Sequence, residues 1–377
     1  MKTALTAFCA LAACTVAQAQ TNATLYGNLD QYIGYIRSDS GKSVIGLNDG
    51  TSLRSRWGLR GTEELGNGYQ ARFQLESAFN ADTGTLADAA TNRLFDRQAW
   101  VGLNTPIGEF RLGRQNTEIL QIGDYIDYTS RTTFGSIVNN FGTASRYDND
   151  ISFKTNRVGG GFQAAVHYAL AEQAGGGVAQ QAVYQLWIDY LKGPFRVGFA
   201  GLAAKPAPTG SVRNKIYYNN AYVNYDYGQG KIYLVYVRSN NSTTSGSGIL
   251  NGAAILNNIS QPNNLFPGTD ANARRYYNIY QISADYRLTP GLRVGALYGR
   301  MADQSGGDAG TKGGNVGAYY DLSKRTTLYG FASRMQNERN AGFRFSGSAG
   351  PSAQLTSPAD VNGHTLTGLQ AGIIHRF

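Results

Sequence analysis

Cysteine is nearly missing from this chain: its 377 residues hold two, Cys9 and Cys14, both within the first nineteen positions. Removal of that stretch on export would leave none, which excludes a disulfide-stapled scaffold and a cysteine-ligated metal site. The three histidines, His167, His364 and His375, have no paired spacing for a metal. Nine prolines are too few for a collagen-like chain or a proline-rich linker. After the first nineteen residues no apolar run approaches the about 18 residues of a membrane helix, so a chain that spans a bilayer has to do so as a closed β-barrel. Acid is scarcer than base, 25 Asp and Glu against 34 Lys and Arg, for a net charge of +9. A basic exported protein suits nucleic acid, anionic lipid or a path for anions, and the placement of the arginines decides between them.

The N-terminal stretch has the form of a secretory leader. Lys2 precedes an apolar run from Ala4 to Val16, and Ala17-Gln18-Ala19 has the small-x-small form of a cleavage site. This divides the chain into a signal peptide, 1–19, and a mature domain, 20–377. Leu11-Ala12-Ala13-Cys14 also resembles a lipobox, but the apolar core runs past the cysteine to an intact Ala-x-Ala, which favours cleavage near Ala19.

Glycine (48) and tyrosine (25) are abundant, as in a chain of many strands separated by turns. From Tyr69 to Phe79 apolar residues alternate with Gln70, Arg72, Gln74 and Glu76. Successive β side chains point to opposite faces, so this is a strand between two different solvents, and about 9 to 11 residues is what a tilted strand needs to cross a bilayer. Leu53 to Gly61 repeats the rule, with Leu53, Trp57 and Leu59 on the apolar face and Arg54, Arg56 and Arg60 on the other. Glu63 to Gly68 reads as the turn between them. Arg54, Arg56, Arg60 and Arg72 thus share one wet parity, where a guanidinium stays hydrated; on the lipid face each would cost about 2 to 4 kcal/mol near the midplane.

Seven short turns alternate with eight long polar connections, among them Ser38 to Gly50, Asn116 to Ala144, Asn240 to Asn272 and Asn337 to Gly363. Fifteen connections predict an all-β fold, a 16-stranded antiparallel transmembrane β-barrel with both termini on the short-turn side. Ile232 to Val237 is apolar on both faces and Thr326 to Ser333 fits either parity. Aromatics near strand ends, such as Tyr26, Tyr69, Tyr227, Tyr286 and Phe377, suit girdles at the headgroup level. The connection from Asn116 to Ala144 carries Glu118, Asp124 and Asp127 among Ile119, Leu120, Ile122, Ile126 and Phe134. So apolar a loop is expected to fold inward and pack rather than stand in solvent. Gly-Gly-Gly at 159–161 and 175–177 lacks the lysine and helix of a phosphate loop, and no nucleophile, base or metal set converges. Neither an enzyme nor a cofactor is expected.

Leu25-Tyr26-Gly27, the run from Ser55 to Gly68, Arg97-Gln98-Ala99-Trp100-Val101-Gly102-Leu103, Leu112-Gly113-Arg114 and the closing Gly372-Ile373-Ile374-His375-Arg376-Phe377 resemble the general-diffusion porins of Gram-negative bacteria, of the neisserial and burkholderial type. The resemblance implies a homotrimer in outer-membrane lipid, passing small hydrophilic solutes and ions passively. It implies that Arg56, Arg97 and Arg146 line a constriction, with Glu76 a further lumen residue, and that the third loop narrows the barrel with its acids opposite the arginines. It also implies that Phe377 signals to the outer-membrane insertion machinery. Strand parity does not independently place Arg97 on the wet face, because Ala99, Val101 and Leu103 share its parity. The basic excess, with arginines as the recognisable wall residues, predicts a preference for anions, and because those arginines fall on the inner face of a barrel no nucleic-acid partner is expected. A substrate-specific outer-membrane channel with a saturable solute site is the alternative.

Overall fold

A computed structural model describes residues 22–87, 93–130, 133–142, 145–170, 182–204, 215–240, 276–304 and 306–377. The leader and most of the connection from 240 to 272 lie outside them. The strands are β1 (Asn22–Ser38), β2 (Ser43–Asp49), β3 (Arg56–Gly66), β4 (Tyr69–Asn80), β5 (Thr85–Leu86), β6 (Gln98–Thr105), β7 (Gly108–Asn116), β8 (Arg146–Thr155) and β9 (Phe162–Ala169). There follow β10 (Val183–Lys192), β11 (Phe195–Ala204), β12 (Ile216–Asp226), β13 (Lys231–Ser239), β14 (Tyr277–Thr289), β15 (Leu292–Asp303), β16 (Thr311–Asp321), β17 (Thr326–Asn337) and β18 (Thr365–Arg376). Short helices α1 (Glu118–Gln121), α2 (Gly123–Ile126) and α3 (Ile137–Phe141) lie between β7 and β8, and α4 (Pro358–Val361) precedes β18.

Neighbouring strands pair antiparallel, and β1 pairs with β18 from Asn28↔Arg376 to Ser38↔Leu366, which closes the sheet. β2 and β3 lie end to end along β1 and make one stave, while β5 is a two-residue partner of the end of β4. Among the described residues the barrel therefore has sixteen staves, the number that the alternation of short and long connections predicts. The seam is tight at Gly27. Its amide donates to the Phe377 carbonyl and its own carbonyl accepts from the Phe377 amide, and a Cβ there would stand 2.6 Å from the Arg56 backbone oxygen.

The wall inverts the burial pattern of a soluble protein. Leu25, Leu112 and Val316 are more than half exposed, while Asp30, Gln281 and Asn315 on the opposite face are buried. Apolar residues outside and polar ones inside are what lipid on one face and water on the other select. Ile232 and Leu234 of β13 point outward, and Tyr233, Val235 and Val237 point inward into an apolar cluster that also holds Ile126 and Phe141. That packing is why the strand is apolar on both faces.

Three expectations need correction. Ser38 to Gly50 is not one long loop: four residues turn the chain and β2 returns along β1. β3 begins at Arg56, so Arg54 and Leu53 are not in the hairpin. They belong to a break at 50–55, where Asp30 Oδ2 accepts the amides of Ser52 (2.9 Å) and Leu53 (2.6 Å). Tyr26 is not a girdle residue, since it faces inward and its hydroxyl donates to Glu76 Oε2 at 2.9 Å.

Candidate functional site

The inner face of β3, β4 and β8 brings a basic cluster together. Register sets Arg56 opposite Ala78 and Gly58 opposite Glu76, so Arg56 and Glu76 share the inward face as diagonal neighbours. Arg56 Nε stands 3.4 Å from Glu76 Oε2, and Arg97 Nε stands 2.6 Å from Glu76 Oε1. Arg97 reaches this face although its parity points outward. Its amide donates to the Glu76 carbonyl while Gln98 is the register partner of the same Glu76, so two consecutive residues oppose one, as in a β-bulge. From Gln98 onward the expected parity holds, with Val101 and Leu103 exposed outward.

Arg146, the first residue of β8, completes the cluster. It is 3% exposed, its Nη1 lies 3.5 Å from Ser145 Oγ, and its Nε has no hydrogen-bond partner among the described residues.

The chain from Thr117 to Phe141 is bonded to inward positions across the barrel. Thr117 Oγ1 caps α1 by accepting the Leu120 amide. Tyr128 donates its hydroxyl to Asn315 Oδ1 (2.7 Å) and its amide to Ser283 Oγ (3.1 Å). The Ile137 amide donates to Gln281 Oε1 and the Phe134 amide to Gln370 Oε1. Gly295 makes room for this approach: a Cβ on it would meet the Tyr128 ring at 2.3 Å. A second connection joins in, with Phe345 stacked on Phe134 (5.1 Å between centroids, 6° between planes) and the Ser346 amide bonded to Asn140 Oδ1.

Between these walls lies a cavity of about 620 Å³. Arg56, Arg97 and Arg146 line it, as do Arg287, Arg293, Lys324 and Arg376 from β14, β15, the β16–β17 turn and β18. Its acidic lining residues are Asp124 and Asp321. Among the described residues, seven cations against two carboxylates leave a strong positive bias. Sequence reasoning missed Arg287, Arg293, Lys324 and Arg376, as well as Ser346 to Ser348 from the last long loop. Arg287 and Arg376 do alternate with outward Tyr286 and Phe377, but no local pattern reports convergence from distant strands.

The remaining candidates are placed differently. Glu76 sits behind Arg56 and Arg97, 3% exposed. Arg54 bonds to Asn80 Oδ1 and to the carbonyls of Ala87 and Ala349. Arg60 faces inward over the Tyr26 ring, and Arg72 pairs with Glu109 at 2.8 Å, nearer the short-turn end. Asp127 accepts from Thr129 and Ser136 within its own loop and from Gln281 of β14. Glu118 is bonded to Lys154 Nζ at 3.0 Å and lies 3.7 Å from His167 Nε2. Burial alone would raise the Glu118 carboxyl, but the His167 hydrogen bond and the Lys154 charge outweigh it and hold the group below its ordinary value. Of the three loop acids, Asp124 is the one that lines the cavity. Phe377 is 44% exposed at the seam.

Comparison with known proteins agrees with this architecture. The profile of the Gram-negative porin family matches residues 4–340. The chain is 29% identical over 391 residues to outer membrane porin protein 32 of Delftia acidovorans, covering all of both chains. It is 30% identical over 355 residues to an outer membrane porin protein of Bordetella pertussis, covering 85% of this chain and 90% of that one. Its fold superposes on an anion-selective porin from Comamonas acidovorans with a TM-score of 0.75 at 24% identity, covering 95% of this chain and all of that one. With a closed sixteen-stave barrel, an apolar outer wall and a polar interior, the chain belongs to the Gram-negative porin family of the outer membrane.

Proposed function

We propose that this porin is a passive channel with a preference for anions, catalysing no reaction, and that the segment from Thr117 to Phe141 folds into the barrel and forms its constriction. The observation that carries the preference is the cavity lining, seven basic side chains against two carboxylates among the described residues. A cation entering this space meets uncompensated positive charge, whereas an anion replaces part of its hydration with guanidinium donors. The role of Arg56, Arg97 and Arg146 is to hold that charge at the narrow point. Asp124, opposite, gives the field a direction across the channel.

Glu118 and Asp127 serve the constriction by anchoring it rather than by facing the solute. Arg60 and Arg72 line the inner wall away from the narrow point, and Glu76 holds Arg56 and Arg97 in place. Assembly as a homotrimer and a role for Phe377 in insertion extend the same reading. The anion preference is tested by the zero-current potential of the reconstituted channel across a KCl gradient; a potential of cation-selective sign overturns it. Solute-induced current block saturating at low concentration would favour a substrate-specific channel instead.

A further inference from the structure

The connection between β17 and β18 is tied down on two flanks. On one, Ser348 and Ala349 donate their amides to the carbonyls of Thr51 and Gly50, each at 2.8 Å, and Phe345 is stacked on Phe134. On the other, Asn48 Oδ1 accepts from the Ala353 amide and the Ser352 hydroxyl, each at 3.0 Å. Walls held this way lose little freedom when a ligand enters.

A separate cavity of about 280 Å³ lies within this connection. Small-molecule sites run from about 300 to 1,000 Å³, so its occupant is small. Arg344 lines it with Phe343, Pro351, Ser352 and Gln354, and among the described residues no acid does. Asp82 reaches Ser352 Oγ at 3.5 Å without lining the cavity. Arg344 Nη2 donates to the Thr356 carbonyl at 3.0 Å, while its Nε is buried with no hydrogen-bond partner among the described residues. Burial pulls this guanidinium below the ordinary arginine value, a penalty that an arriving carboxylate offsets.

The cavity adjoins the larger one. Ser346 lines both, and Asn139 and Asn140, consecutive in α3, line one each. Long connections mark the cell-exterior end of a bacterial barrel, so this pocket stands at the entrance.

We propose that the pocket is a capture site for a small hydroxylated monocarboxylate entering the channel, its carboxylate on Arg344, its hydroxyls on Ser352 and Gln354, and its carbon chain against Phe343 and Pro351. One guanidinium matches one carboxylate, in the planar geometry that suits both. A serine hydroxyl and a glutamine amide each donate and accept, as sugar-acid hydroxyls require. Ser346 is the step from this pocket toward Arg56, Arg97 and Arg146. The proposal rests on the inward passage of anions proposed above and adds the ligand class.

The test places a thiol in the pocket. Thr356→Cys keeps the carbonyl that Arg344 binds, and the wild type, whose cysteines are confined to Cys9 and Cys14, serves as the blank. The purified full chain is alkylated with iodoacetate or with neutral iodoacetamide; in both the thiolate attacks the methylene carbon and iodide leaves. The ratio of the two rates, divided by the same ratio for a neutral model thiol, cancels the reactivity of the thiol and reports carboxylate capture. A charge-assisted hydrogen bond gives iodoacetate an advantage of about tenfold, and Arg344→Gln in the same background should bring the ratio back to about one. Glycerate should protect the thiol and glycerol should not. A normalised ratio of about one in Thr356→Cys overturns the proposal and needs no second variant to fold. A preference that survives Arg344→Gln overturns it too, and assigns the effect to the general field of the channel mouth. Equal protection by glycerol and glycerate does the same for the ligand class. Anion preference is read separately by the KCl potential, so either reading can fail without the other.

Discussion

Glu76 bridges two arginines: its Oε1 lies 2.6 Å from Arg97 Nε and its Oε2 3.4 Å from Arg56 Nε. One buried carboxylate thereby fixes two guanidinium groups at the cavity wall and neutralises half of their charge. Arg146, which has no carboxylate partner among the described residues, lines the same cavity.

Replacing Glu76 by Gln leaves Arg97 and Arg56 facing each other without the bridge. Removing one member of a buried ion pair typically costs about 3 kcal/mol or more. The expected outcome is a lower urea midpoint in detergent micelles, with anion preference kept or increased. A variant as stable as the wild type would mean that solvent reaches the cluster freely.

Arg56→Glu changes the cavity charge by two units. At about 8 Å in water two units amount to about 1 kcal/mol, roughly a fivefold shift of the permeability ratio towards cations. Arg146→Gln should move the ratio the same way by less. Arg72→Gln should leave it unchanged, since Arg72 is paired with Glu109 away from the cavity. Zero-current potentials of the three variants check the ranking.

Glu118 predicts a dependence on acid pH. Its carboxyl is held below the ordinary value of 4.5, so its bonds to Lys154 and His167 stabilise the loop at pH above that value and are lost as pH falls through the lower folded one. Channels acidified below about pH 4.5 should therefore show increasing current noise as the α1 anchor loosens. Glu118→Gln should show that noise at neutral pH with little further change on acidification.

Gly27→Ala sets a methyl group 2.4 Å from Phe377 Cζ and 2.6 Å from the Arg56 carbonyl oxygen. The ring can turn aside but the backbone oxygen cannot. Overpacking of this kind costs about 1 to 3 kcal/mol. Heat-dependent electrophoretic mobility should report a lower unfolding temperature for the closed barrel.

The barrel was legible because a membrane strand writes both solvents into successive residues. Tyr69 to Phe79 alternates, and Arg72 and Glu76 do face inward while Phe73 and Leu75 face outward. Parity failed where pairing departs from regularity. Arg97 reaches the inner face through a two-against-one opposition to Glu76. Parity groups Arg54 with Arg56 because the break at 50–55, stapled by Asp30 from the neighbouring strand, has no local signature.

By itself the amino-acid sequence determined the all-β character, the sixteen staves, the inner and outer faces and the basic excess. Each of these follows from period-2 patterning, turn chemistry and counting, which are properties of neighbours in the chain. Tertiary structure alone decided that Arg287, Arg293, Lys324 and Arg376 join Arg56, Arg97 and Arg146 around one cavity. It also decided that Glu118 is bonded to Lys154 and Asp127 to Gln281 while Asp124 lines that cavity. The physical reason is closure: bending the sheet onto itself brings together residues more than 200 positions apart, and no local pattern records which of them will meet.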